Sequence, residues 1–155
     1  MRRTRVALLS LLVLVAGCND GTSPQVQDRQ EARIHQIARA AAELPGVACA
    51  LGVLATGGLP SAPLGALAVS IRTEGLSEEQ ERELVREVAR RVWQSDLILT
   101  QLTVSTRGGT LGIDDAFPGP SGEDELAALA AAFGPRPPLP SPPLPPVEDP
   151  GNPPC

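Results

Sequence analysis

Few side chains in this 155-residue chain have the chemistry to act on another molecule. There are three cysteines, Cys18, Cys49 and Cys155, and a single histidine, His35, while lysine and tyrosine are absent. A thiol is a nucleophile when ionised and a cross-link when oxidised. An imidazole moves protons near neutral pH, provided that a partner orients it. His35 stands between Ile34 and Gln36 in a helical stretch with no partner close in sequence. A lone histidine with no identified partner is expected to be structural or exposed rather than catalytic, and no G-x-S-x-G nucleophile elbow occurs. Carboxylates gather at Asp114-Asp115 and at Glu123-Asp124-Glu125, arrangements that suit Ca²⁺ or an acid–base pair. The second group opens a predicted helix, where the helix dipole accounts for it. The first lies in a turn flanked by glycine and proline. Without lysine there is neither Schiff-base chemistry nor a phosphate-loop lysine, and no G-x-G-x-x-G appears. The sequence therefore assigns no catalytic residue, no metal ligand and no cofactor.

Cys18 has the most informative surroundings. Arg2, Arg3 and Arg5 form a basic start, residues 6–15 are apolar apart from Ser10, and Ala16 and Gly17 precede the cysteine. A basic segment, a short apolar segment and a small-residue cleavage site make a secretory signal peptide. The apolar run is shorter than the roughly 20 residues that a bilayer-spanning helix needs. Val15-Ala16-Gly17-Cys18 resembles the lipobox of bacterial lipoproteins. That resemblance implies lipidation of the Cys18 thiol, cleavage before it, and anchoring of the mature chain in a cell membrane on the extracytoplasmic side. Two or more acyl chains anchor stably, because each buried methylene contributes about 0.8 kcal/mol.

Removing residues 1–17 takes three of the thirteen arginines, so the mature chain carries 10 − 18 = −8. An acidic chain with no basic stripe argues against nucleic acid and against electrostatic attraction to anionic headgroups. The expected membrane partner is reached through the lipid, and any protein partner in the envelope is left unnamed. Outside the cytoplasm two remaining cysteines invite a disulfide. Cys49 and Cys155 either pair, or Cys49 packs as a small hydrophobe while Cys155 stays free.

The elements follow from periodicity. Residues 19–27 are polar with Gly21 and Pro24, a spacer. From Asp28, Ile34, Ile37, Ala38, Ala41 and Leu44 recur at helical spacing until Pro45-Gly46 stops the helix. Residues 47–54 form a strand with Val47, Cys49, Leu51 and Val53 on one face and Ala48, Ala50 and Gly52 on the other. A loop rich in glycine and proline spans 55–65. Residues 66–74 alternate as a second strand, its antiparallel partner. Ser77 with Gln80 opens a second helix as a capping box, with Leu84, Val85, Val88, Ala89 and Val92 as its stripe and Trp93 covering the edge of the core. Residues 97–107 make a third strand, facing Ile98, Leu102 and Val104 inward, and 110–113 add a short edge segment. Ser121 to Asp124 cap a short docking helix over 125–133. Eleven of the last 21 residues are proline, which predicts an extended or disordered tail and a spacer role.

The expected architecture is an α+β fold with a small mixed sheet of three or four strands and helices on one face. Its parts are a signal peptide (1–17), a lipidated cysteine and spacer (18–28), a small α/β domain (29–113), an acidic turn with a docking helix (114–134) and a proline-rich tail (135–155). The order helix–strand–strand–helix–strand resembles the BON domain, which implies a small envelope module associated with phospholipid surfaces. The chain is also similar to small lipoproteins of high-GC Gram-positive bacteria, a likeness that implies no activity. The expected function is a non-enzymatic, lipid-anchored interaction or scaffold module. A BON-like phospholipid- or ligand-binding module is the alternative, and a cell-wall hydrolase using the acidic turns ranks last.

Overall fold

The computed structural model describes residues 24–54, 66–106, 111–117, 125–139 and 145–155. Cys18, the loop 55–65, and Glu123 with Asp124 lie outside the described residues. The elements run α1 (Pro24–Ala42), β1 (Val47–Leu54), β2 (Ala66–Thr73), α2 (Glu78–Trp93), β3 (Gln101–Thr106), α3 (Ile113–Ala116) and α4 (Glu125–Phe133). The three strands form one mixed sheet in the order β1-β2-β3, with β1 antiparallel and β3 parallel to the central β2. This is the small mixed α+β architecture that the periodicities predict. Residues of all four helices join the sheet in a single hydrophobic cluster, so the helices share one face.

Local chemistry accounts for most boundaries. Ser77 accepts from the Gln80 N–H while the Gln80 side chain accepts from the Ser77 N–H, a complete capping box at the start of α2. Glu78, Glu79 and Glu81 occupy the first turn, where the helix dipole favours them. Gly134 ends α4 with φ +77°, a left-handed conformation that a Cβ disfavours.

Helix α1 begins at Pro24 rather than at Asp28, so the polar segment before it is shorter than its composition suggested. Proline suits a first helical turn because the N–H it lacks has no intrahelical acceptor there. The third strand is also shorter. Leu97 and Leu99 are buried where alternation from Leu102 would have buried Ile98, because the chain changes phase at Thr100 before entering β3. Ile113, expected to close a short edge segment over 110–113, instead opens a helix over 113–116, and Thr110 lies outside the described residues.

The choice of buried face on β1 needed tertiary structure. Its small residues turn inward: Ala50 is fully buried, and Gly52 lies beneath α1. Leu51 and Val53 project from the opposite, open face of the sheet, 37% and 51% exposed. A helix can approach this closely only over small residues. A Cβ on Gly52 would stand 2.6 Å from the Ile34 carbonyl oxygen and 2.9 Å from Ile34 Cγ1. Gly52→Ala is therefore expected to destabilise the domain by about 1–3 kcal/mol, since backbone of α1 must move. The midpoint of denaturant unfolding reads this, and an unchanged midpoint would contradict the close approach.

Candidate functional site

The densest set of long-range polar contacts gathers on α1 and β1, and its partner is the end of the chain. Residues 145–155 dock along α1 and then turn onto the outer edge of β1. Arg29 donates to the Pro145 carbonyl. Gln36 Nε2 donates to the Glu148 carbonyl at 2.9 Å, and Arg39 to the Pro150 and Gly151 carbonyls at 2.5 and 3.0 Å. His35 Nδ1 lies 2.8 Å from Asp149 Oδ1. Asn152 then meets the edge of β1: the Gly52 N–H donates to its Oδ1 at 2.8 Å, and its Nδ2 donates to the Gly52 carbonyl at 3.0 Å. A disulfide joins Cys155 to Cys49, with Cα atoms 5.3 Å apart across 106 positions of sequence.

The tail is thus ordered at its end, not a free polyproline spacer. Proline-rich chain cannot build a core, but it carries carbonyls without the matching N–H groups, and three side chains of α1 supply donors to them. The arrangement also protects a sheet edge. An edge strand exposes backbone groups that template further pairing, and the Asn152 amide occupies both groups of Gly52 as a neighbouring strand would. Pro153 and Pro154 have no N–H with which to extend such a ladder.

A second cluster holds the other end of α1. Arg29 and Arg33 both reach Asp96, with Arg33 Nε at 2.9 Å from Oδ1, and the Gln30 side chain accepts from the Ile98 N–H at 2.9 Å. Partial burial raises the Asp96 carboxyl, but the hydrogen bonds and charges of the two arginines outweigh it and hold the pKa below the usual range. Arg136 lies over the Trp93 ring at 5.4 Å and donates to the Leu97 carbonyl at 2.5 Å, while Trp93 Nε1 donates to the Gly134 carbonyl at 2.9 Å. These bonds tie α1, the α2–β3 connection and the exit of α4 into one end of the domain.

His35, expected to be structural, has a carboxylate partner that lies 114 positions away. An oriented imidazole is one part of a catalytic set, but this ring is 8% exposed and sits beneath the docked tail. Asp114 and Asp115 are exposed on α3, where Asp115 accepts from the Gly112 N–H at 2.8 Å, a capping contact. Glu125 opens α4. Among the described residues, no three or more His, Cys, Asp or Glu side chains gather so as to hold a metal ion, and no helix is long and apolar enough to cross a membrane. The sequence reading passed over Asp149, Asn152 and Arg39. The one local signal was that Glu148, Asp149 and Asn152 are polar residues set among prolines.

At the opposite end of the domain a shallow groove of about 280 Å³ has Leu44, Pro45, Leu76 and Leu84 as its floor and Glu83 and Glu87 at its rim.

Two outcomes follow for the docked tail. Cys155→Ser is expected to cost about 2–5 kcal/mol of stability, as removal of a long-range disulfide commonly does, with faster hydrogen exchange at the Gly52 N–H. Equal stability and exchange would show that the tail docks without the link. The second concerns pH. The hydrogen bond with His35, and next the Gly151 N–H, hold the Asp149 carboxyl below its ordinary value of 3.8. A carboxyl lowered on docking favours the docked tail above that ordinary value, and the contribution is lost as pH falls through the lowered one. The protection of the Gly151 amide, the intrinsic exchange rate at the same pH divided by the observed one, should therefore fall in acid, and Asp149→Ala should be less protected at neutral pH with little further acid response. An identical acid response in both proteins would remove Asp149 from the account.

Comparison with protein families, with curated proteins and with solved structures finds no match for this chain.

Proposed function

We propose that this protein is a lipid-anchored, extracytoplasmic interaction module of a bacterial envelope, without enzymatic activity of its own. The observation that carries the reading is the Cys49–Cys155 disulfide, which closes the fold from the last residue back to β1. Structural disulfides persist in oxidising compartments and are rare in the cytosol, so the link supports the destination encoded by residues 1–18. The two cysteines remaining after lipidation are both used in it, which leaves Cys18 as the thiol for the anchor. The absence of a reaction is supported by the setting of His35, the single imidazole, which serves the docked tail.

The groove between the end of α1 and the start of α2 is the surface best suited to a protein partner. Its apolar floor and carboxylate rim fit a segment that offers aliphatic and basic side chains. The element order favours a second reading, a BON-like module that lies on phospholipid.

Feeding cells a radiolabelled fatty acid tests the anchor. The wild-type protein is expected to incorporate the label and Cys18→Ala to lose it; equal incorporation would refute the lipobox. Binding of unlipidated Cys18→Ala protein to phospholipid vesicles would favour the second reading over the first.

A further inference from the structure

We infer that the domain stands end-on at the membrane, with the end formed by the start of α1, the α2–β3 connection and residues 134–136 against the headgroups, and with the groove between α1 and α2 pointing away. The inference rests on the lipidated Cys18 of the proposed function. It then follows from length. Five residues separate Cys18 from Pro24, the first residue of α1. A chain spans at most about 3.3–3.6 Å per residue, so the start of α1 lies within about 20 Å of the acylated cysteine. That distance is shorter than the 19-residue helix itself, which extends about 28 Å at 1.5 Å per residue. An upright but inverted seating, with the far end of α1 and the turn into β1 nearest the bilayer, would lift the start of α1 to about 28 Å, beyond the reach of that tether.

Which surfaces share that end is set by bonds already described. Asp96 receives Arg29 and Arg33, Ile98 donates to Gln30, and Arg136 bonds the Leu97 carbonyl. The end of β1 belongs there too, since β1 runs back beneath α1.

Charge agrees with length. At the proximal end Arg29, Arg33 and Arg136 balance Asp28, Glu31 and Asp96. At the distal end Glu43, Glu74, Glu78, Glu79 and Glu83 are all exposed, and Arg82 and Arg86 offset only part of them. An anionic headgroup layer repels that distal end and favours the seating that holds it away, within the reach of a Debye length of about 8–10 Å. Val53, one of the three exposed large hydrophobic residues among those described, sits near the close of β1 and so accompanies the proximal end.

The single tryptophan, Trp93, lies at the proximal end and provides the probe. The lipidated full chain is placed in vesicles of phosphatidylcholine and phosphatidylglycerol that carry a headgroup nitroxide, and emission is compared with nitroxide-free vesicles. Trp93 is expected to be quenched. In Trp93→Phe/Glu79→Trp the probe moves to the distal end, and quenching is expected to be lost. Should that double variant fail to fold, Glu79→Trp alone adds an emission component that the nitroxide leaves untouched. A flexible insertion of about 20 Gly/Ser residues after Gly21 lengthens the tether by roughly 25 Å, and quenching of Trp93 should fall. Stronger quenching of the Glu79→Trp probe than of Trp93, or quenching that ignores the insertion, overturns the orientation. Intact mass separates the two levels of failure. An unlipidated Cys18 defeats the anchor and the orientation together, whereas a lipidated protein with the inverted pattern defeats the orientation alone.

Discussion

A small sheet covered by helices on one face has two weaknesses, a thin core and exposed strand edges, and one covalent link answers to both. The Cys49–Cys155 bond holds the last residue of the chain against β1. A small α/β unit buries a modest fraction of its surface, so a cross-link adds materially to its stability. Here the core is built largely from alanine, valine, leucine and isoleucine, with three aromatic residues in the whole chain. With the end of the tail fixed, the donors of α1 and the edge of β1 meet acceptors that are held in place, and the entropy of ordering residues 145–155 is reduced by the bond itself.

The same economy of side-chain volume governs how α1 lies on the sheet. Ala50 and Gly52 let the helix backbone approach β1, and Ala38 and Ala41 do the same from the helix side. Bulkier residues on β1 are sent to the open face. The open face is therefore apolar along β1, at Leu51 and Val53, and polar along β3, at Gln101 and Thr103. Both sets of polar clusters, Arg29–Arg33–Asp96 at one end and the tail contacts along the rest, grip the same helix. Helix α1 is the element through which the tether, the sheet and the chain end are coupled.

That coupling gives the functional proposal its physical content. A lipid at Cys18 would draw on α1 within a few residues, so the domain would be carried on the membrane by the helix that also fixes its tail. The acidic end and its shallow groove would then be offered to whatever lies further from the bilayer.

The sequence alone determined the elements whose signals are local. The capping box of Ser77 and Gln80, the stripe of α2, the alternation of β2, the stop at Gly134 and the order of helices and strands all depend on contacts within a few positions. The proposed signal segment and lipobox at Cys18 also rest on local signals. What needed tertiary structure were the choices between two locally equal options. Residues 47–54 present two apolar faces, and only the closeness of α1 decides that the smaller one turns inward. Leu97 and Leu99 or Ile98 could each have entered the core, and the phase change before β3 decides it. Above all, proline content argued for a free tail, because composition measures what a segment can do by itself. Asp149, Asn152 and Cys155 act on partners 100 or more positions away, and no period in the sequence encodes a contact at that separation.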